Sequence, residues 1–508
     1  MLTLIVVIMG VMIFIYPPAI FPDPSNGYQV MRSMEMGGGF NRLVSPDQDD
    51  ISKNTSLFLT WWSPGQYLVP YSIKFLGVNT GQATAIAISL LELSGLFGLY
   101  SFFKKIGFTP MITAISLVFI ACQQAFITPY IFYNGGEILL FGYAGWFLYG
   151  CLVIKKADWK LLVFVLLSGW VGFFCKSSFL WMYAAGMLCL WLRLSAVENM
   201  VTISRLIKNG TWLAIPAVIS LACIYIFFLS KGENPAAAST GISLNLQTFT
   251  FPLGAPLISS FSVDELMHGL VFPAFSPFLS PLLILIILVL LAILSVAIVF
   301  CIFKYVPKNN YRLFVLVFYA VAVLFFTTAY IRQLNISYES RHFRILGLLI
   351  APGIIYLISK LKPAYWLCFG VLCTTLMFFN YSYFARAYLF NKNISARGNT
   401  GLAQEFISQP ALDYILKLDR ENCNAIFVFE VPDLPLEIIH NRTITVDPPL
   451  TGPMDNDDCT YYGHAGPLYI LLPVSDASRT GLFMKLFPGY KFFSHQAIGK
   501  DYMMYSAK

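Results

Sequence analysis

Charge is scarce in this sequence. Only 12% of its 508 residues are Asp, Glu, Lys or Arg against 57% hydrophobic, and a mean hydropathy of +0.68 excludes an ordinary soluble protein. Histidine is scarcer: the five, His268, His342, His440, His464 and His495, are scattered, and no set of cysteines and histidines has a full zinc-ligand spacing. No glycine-rich phosphate loop follows a strand, so direct use of ATP or a cytosolic nucleotide sugar is unsupported. Internal repeats and low-complexity linkers are also lacking. The net charge of +7 is uneven: from Arg386 onward 11 Lys/Arg face 13 Asp/Glu, which leaves −2 there and +9 in the rest. Such an excess in an apolar chain has a membrane explanation before a nucleic-acid one, and no nucleic-acid partner is expected.

What is present is a series of long apolar runs. About 20 apolar residues cross the hydrocarbon core as a helix. Eleven runs qualify, at 2–21, 80–103, 107–127, 137–154, 161–175, 177–192, 211–230, 278–303, 313–331, 343–359 and 364–385. Met1 to Tyr16 is apolar and uncharged with no small-residue cleavage site before Pro17 and Pro18, so a retained first helix is expected rather than a signal peptide. With the N-terminus inside, the inner loops receive Lys104/Lys105, Lys155/Lys156/Lys160, Arg193/Arg205/Lys208, Lys304/Lys308/Arg312 and Lys360/Lys362. All are basic, as the positive-inside rule requires. The 161–192 pair is short for two spans and is compatible with a re-entrant hairpin, with Lys176 at its apex.

This threading predicts a polytopic α-helical membrane protein with three large outer segments, 22–79, 231–277 and everything after about 386. The first reads as two surface helices, Asn26 to Met36 and Ser56 to Phe75, joined by a mobile glycine-rich and polar link. The tail, 386–508, reads as a small extracytoplasmic α/β domain. It has a helix at 411–420 and strands in AIFVFEV, LEIIHNRTITV, PLYILLPV and DYMMYSA. Residues 1–385 form the membrane domain in this reading. Eight of the ten cysteines lie in apolar spans as small buried hydrophobes. Cys423 and Cys459 are the two in the tail, and an extracytoplasmic tail makes a disulfide between them the expectation.

Chemistry is sought on the outer face. Moving a sugar from a lipid phosphate to a hydroxyl needs a carboxylate to take the acceptor proton and cations for the departing phosphate. Asp23, in FPDPSNGYQVMRS, is a candidate base, although from local sequence alone Asp before Pro24 reads first as a helix cap. Glu137 opens the fourth span on the same face, where the helix macrodipole alone would favour a carboxylate. Lys176, Arg341 and Arg344 are candidate phosphate ligands, and the two arginines suit lipid headgroups as well. Tyr28 and Trp62, on the first outer segment, are candidate substrate contacts. Glu92, midway along the second span, should face protein, since a central acid costs about 2.5–3.5 kcal/mol in lipid.

Together these features resemble the GT-C superfamily of integral-membrane glycosyltransferases, in the branch of protein O-mannosyltransferases and the lipid A aminoarabinose transferase. The resemblance is carried by PDPSNGYQVMRSMEMGG, FLTWWSPGQYLVPYSIKFLG, PYIFYNGGEILLFGYAGWFLY, GWVGFFCKSSFLW and ESRHFRILGLLIAPGIIYL, in order over about 340 residues. It implies a catalytic aspartate at Asp23, a second acid at Glu137, and phosphate-binding cations at Lys176, Arg341 and Arg344. Many members carry two acids in the first motif, whereas here Asp23 is followed by Pro24, and the tail matches in placement alone. Bacterial and phage O-antigen glucosyltransferases are similar in length and helix number. They point to O-antigen or another periplasmic glycan or glycolipid as acceptor, and to a bacterial inner membrane.

The function implied is an inverting transferase using a sugar on undecaprenyl phosphate, without a required cofactor; a carboxylate-bound divalent metal stays open as an addition. Two other classes stay open at this point. An O-antigen polymerase or ligase shares lipid-linked substrates but is expected to carry its large outer loop centrally. A lipid-linked-sugar transporter or flippase is expected to show inverted repeats and broken helices.

Overall fold

The computed structural model describes residues 1–197, 200–232, 238–263, 279–446 and 460–508. Along the chain run α1 (Leu2–Ile15), β1 (Ala19–Ile20), α2 (Pro22–Glu35), β2 (Arg42–Pro46), β3 (Asn54–Phe58), α3 (Gly65–Lys74), α4 (Thr80–Ile106) and α5 (Pro110–Ala121). Then follow α6 (Gln124–Ile127), β4 (Phe132–Tyr133), α7 (Gly136–Val153), α8 (Trp159–Cys175), α9 (Phe179–Ser195), β5 (Ala196–Val197), β6 (Met200–Val201), α10 (Ile203–Phe227) and α11 (Leu246–Ser260). The last elements are α12 (Pro281–Tyr305), α13 (Asn309–Ile331), α14 (Arg344–Ile358), α15 (Pro363–Asn393), α16 (Gln409–Glu421), β7 (Ile426–Phe429), β8 (Arg442–Thr445), β9 (Leu468–Pro473), α17 (Thr480–Lys485), β10 (Ser494–Ile498) and β11 (Tyr502–Ala507).

Every apolar run forms a helix. Among the described residues seven helices are long and apolar enough to cross a membrane, and the bent pair at 110–130 with the shorter α1, α8 and α9 supplies the rest of the eleven. The protein is a multi-pass membrane protein. Its first span ends at Ile15, short of the expected residue 21, because Pro17 and Pro18 cannot continue a helix. At the 71° bend after Ala121 the carbonyl of Cys122 is freed, and the Asn380 side-chain amide donates to it at 2.7 Å. A broken helix persists in lipid only when neighbours re-satisfy its backbone in this way.

The chain divides into two compact units. One comprises residues 1–7, 89–129 and 136–384. Small residues set its helix packing: a Cβ on Gly145 of α7 would lie 2.4 Å from the backbone nitrogen of Leu99 on α4, so the two backbones touch only because that atom is missing. Glu92 is buried at 1% exposure, as expected of a mid-span acid. The 231–277 segment is not simply an outer loop. Its α11 is buried against α12, α13 and α14. Pro252 and Pro256 lie within this helix, and the Ser295 and Tyr319 hydroxyls donate to the carbonyls of Gly254 and Leu253 at 3.1 Å each.

The other unit comprises residues 8–88, 130–135 and 385–508. The first outer segment therefore belongs with the tail, not with the membrane domain as the sequence suggests. The reason is hydrogen bonding: Arg32 of α2 donates to the carbonyls of Ile438 and Asn441, and Gln29 to that of Pro432 at 2.8 Å. Nor is α2 a surface helix, since nine of its residues are buried. The expected mobile link is an antiparallel hairpin, β2 with β3, in register from Arg42–Phe58 to Pro46–Asn54. The tail is an α/β domain around a five-stranded mixed sheet in the order β10-β11-β9-β7-β8. Parallel pairs β7–β8 and β7–β9 make one side of it, and antiparallel β9–β11–β10 the other. The Cys423–Cys459 pairing involves Cys459, which lies outside the described residues.

A buried acidic turn beneath this sheet gives a pH-dependent prediction. The Glu437 carboxylate accepts from the Thr400 backbone and hydroxyl and from Gln404, whereas Asp433 keeps one buried carboxylate oxygen without a partner among the described residues. Burial, helped by the neighbouring acids Glu437 and Glu405, pushes Asp433 up to about 7 from an ordinary 3.8. Between pH ~4 and ~7 the folded chain then holds a proton that the unfolded chain has released, so stability falls as pH rises through that window. The full cost is roughly 4 kcal/mol at most. Asp433→Asn, neutral throughout, is expected to raise Tm at pH 8 and flatten the decline; melting curves of both proteins in detergent across that window check it, and equal slopes would refute it.

Candidate functional site

The charged cluster of the membrane unit is built at three helix ends. The sequence Asn134-Gly135-Gly136 opens α7, and Gly136 meets the corner between α8 and α9: a Cβ there would lie 3.0 Å from the Cys175 carbonyl and 3.3 Å from the Lys176 chain. Lys176 follows the last residue of α8 in extended conformation. The corner itself is tight because Gly172 lets the Phe179 ring lie against the α8 backbone. Glycine at both positions thus delivers Lys176 to the first turn of α7, where Glu137 sits.

Lys176 Nζ donates to Glu137 Oε1 at 2.5 Å, and Arg341 Nη1 lies 3.6 Å from the same oxygen. Arg341 also pairs with Glu339. It lies in the single 3-10 turn Ser340–Phe343 that leads into α14, with Arg344 at the start of that helix. Aromatic packing holds this turn: Phe343 packs against Phe326 at a 45° tilt, ring centres 4.2 Å apart, and Tyr338 stacks on Tyr330 at 4.0 Å. Side-chain exposures of 14% for Lys176, 16% for Glu137 and 27% for Arg341 leave the cluster mostly but not fully shielded from solvent. Each attraction is therefore stronger than at a free surface.

Two consequences follow for the assigned roles. A carboxylate clamped by two cations is a poor proton acceptor, so Glu137 suits orienting Lys176 and Arg341 better than general-base work. The cations, in turn, meet Glu137 first, and any phosphate joins or displaces that contact. Sequence reasoning missed two residues here, Glu339 and His342. His342, half-buried, lies within electrostatic reach of Lys176 and Arg341 and shares a hydrogen bond with Ser337. Both belong to the quoted YESRHFR stretch, and that cluster of ionisable side chains beside a span was the available signal.

The other predicted residues lie in the second unit. Asp23 is in the first turn of α2, half-buried, but it is not the cap: the N-cap is Phe21, with Pro22 at the first helical position. Tyr28 is fully buried, its hydroxyl bonded to Thr84 at 2.7 Å and its ring against Tyr133, so it packs the core instead of lining an open substrate site. Trp62 is half-buried beside Trp61, their ring centres 5.4 Å apart. Among the described residues no three His, Cys, Asp or Glu side chains gather as metal ligands.

No protein-family model matches the sequence, and no curated protein matches it either. Solved structures do match. The crystal structure of ArnT from Cupriavidus metallidurans in the apo state aligns with a TM-score of 0.54 at 13% identity, covering 100% of this chain and 97% of that one. The same protein bound to undecaprenyl phosphate aligns with a TM-score of 0.53 at 13% identity, covering 100% and 96%.

Proposed function

Because the chain has the GT-C fold, shared from end to end with ArnT, we propose that it is a glycosyltransferase drawing its sugar from a polyprenyl phosphate and transferring it, with inversion, to a cell-envelope glycan. The observation that carries this reading is the convergence of Lys176 and Arg341 on Glu137, all three largely shielded from solvent. When the sugar leaves, the lipid phosphodiester becomes a monoester and gains a second negative charge. Two pre-positioned cations favour that state over the starting one. Phosphate is already a good leaving group, so no general acid is needed.

Asp23 is assigned the acceptor's proton, and Glu137 the holding of the two cations and of a sugar hydroxyl. Support for the donor class comes from the ArnT crystal structure with undecaprenyl phosphate. The basic inner loops support a cytoplasmic N-terminus, an outer tail and a bacterial inner membrane. Lipopolysaccharide O-antigen, modified by one sugar, is the acceptor we favour. Mass spectrometry of cell-envelope glycans with and without the gene tests this. The expected result is one monosaccharide missing per acceptor unit. Loss of whole polymer chains would point instead to a polymerase or ligase, and an unchanged envelope with lipid-linked sugar trapped on one leaflet to a flippase.

A further inference from the structure

The unit that joins the first outer segment to the tail contains a cleft of about 250 Å³ that the proposed transfer does not use. Arg32 of α2, Ser45 and Asn54 of the hairpin, and Arg442 and Thr443 of β8 line it. The two guanidinium groups are its unusual feature. Arg32 is only 9% exposed and donates to neutral oxygens: the carbonyls of Ile438 and Asn441, and the Thr443 hydroxyl at 3.3 Å. Arg442 uses one terminal nitrogen for the Ile51 carbonyl at 2.8 Å and for the Lys53 carbonyl and Asn54 side-chain oxygen at 3.4 Å. Its remaining nitrogens have no hydrogen-bond partner among the described residues.

Neither arginine has an ion pair among the described residues. The acids nearest in electrostatic terms to Arg32 are Asp419 and Glu35. Asp419 accepts from the Ile439 and His440 backbone and the Asn441 side chain, and Glu35 is paired with Lys74. Burial lowers Arg32 to about 10, which still leaves it cationic at neutral pH. Two cations on one partly dry wall without a direct ion pair among the described residues are costly on their own and focus a positive potential into the cleft. A structural clamp explains Arg32 but not the open side of Arg442. The volume falls just below the roughly 300 Å³ where ordinary small-molecule sites begin, which suits one sugar ring with its substituent.

We propose that this cleft binds a single anionic sugar residue, phosphorylated or carboxylated, with its anion on Arg442 and Arg32 and its hydroxyls on Asn54 and Ser45. If the transferase reading holds, this residue is part of the acceptor glycan; that assignment rests on the reading, whereas the binding itself does not. The test is calorimetric titration of the full-length protein in detergent with mannose 6-phosphate, glucuronate, mannose and inorganic phosphate. Saturable binding of at least one anionic sugar and none of mannose at the same concentration is expected. Which anion binds more tightly identifies the acidic group. Arg442→Gln should weaken binding roughly 10- to 100-fold, as loss of a charge-assisted hydrogen bond does, and Arg442→Lys less.

Asn54→Leu, which fills the cleft without removing a charge, should also abolish binding, and it covers the case in which Arg442→Gln fails to fold. Asp23→Asn should leave binding unchanged, which separates this proposal from the transfer chemistry. Mannose bound as tightly as mannose 6-phosphate, inorganic phosphate bound as tightly as either anionic sugar, or anionic-sugar binding indifferent to both cleft variants would overturn it. So would the absence of saturable binding.

Discussion

Asp23→Asn is expected to insert and melt as the parent protein does while losing transfer by roughly 10²- to 10⁴-fold, the usual contribution of a positioned general base. The contrast between the two readouts is what makes it informative. Asp23 lies in the first turn of α2 behind a Phe21 cap and a Pro22 start, so its carboxylate is not needed to begin the helix. Its electrostatic benefit there is about 0.3–1 kcal/mol. Were Asp23 a structural residue only, the substitution would shift Tm slightly and leave the rate alone. A base role predicts the reverse, with partial recovery in Asp23→Glu. A folded Asp23→Asn protein with full transfer would remove this residue from the mechanism.

Lys176→Gln is expected to slow transfer by roughly 10²- to 10³-fold, the loss seen when one preorganised partner of a developing oxyanion is removed, and to weaken binding of undecaprenyl phosphate. Instability is the obvious confounder, because the variant leaves Glu137 with Arg341 at 3.6 Å as its remaining cation. Removing one member of a buried pair costs about 3–5 kcal/mol. The double variant Lys176→Gln/Glu137→Gln separates the effects: it removes both charges, should regain most of the lost Tm, and should remain slow. A double variant that regained transfer along with stability would mean that Lys176 merely neutralises Glu137.

Helices in lipid declare themselves through composition, and for that reason the eleven apolar helical segments are legible in the amino-acid order, whereas the bend within 110–130 is not. The exceptions have physical causes. The fifteen residues of α11 carry Pro252 and Pro256 and are too few for a span, yet burial among three other helices sustains them. In the tail, β10 reads SHQAI, an edge strand with four exposed residues and no apolar alternation to mark it. The β2–β3 hairpin is similarly polar, and what fixes it is its neighbours: Ile51 in its loop donates to the Tyr462 carbonyl at 2.8 Å. Long-range pairing of that kind leaves no local signal.

The candidate site was partly legible for the same reason. Glu137, Lys176 and Arg341 each stand out as ionisable groups at the ends of apolar runs. Their convergence on one oxygen does not, because it depends on Gly136 and Gly172 letting a corner approach across 39 residues of sequence. Tyr28 shows the opposite failure. An aromatic near a candidate base looks like a sugar platform, but at helical spacing an aromatic is as readily core, and its hydroxyl found Thr84.

The hydrogen bond from Arg32 to the Ile438 carbonyl spans 406 positions of sequence. At about 5–20 residues per second, a ribosome that has just released Arg32 needs roughly 20–80 s to deliver its partner. During that interval all the later spans must enter the bilayer while the first outer segment waits with the Arg32 guanidinium short of its hydrogen-bond acceptors and the inner face of α2 uncovered. Burial of α2 therefore waits for the last hundred residues, and a nascent chain arrested before Asn441 would leave α2 open to proteases or holdases.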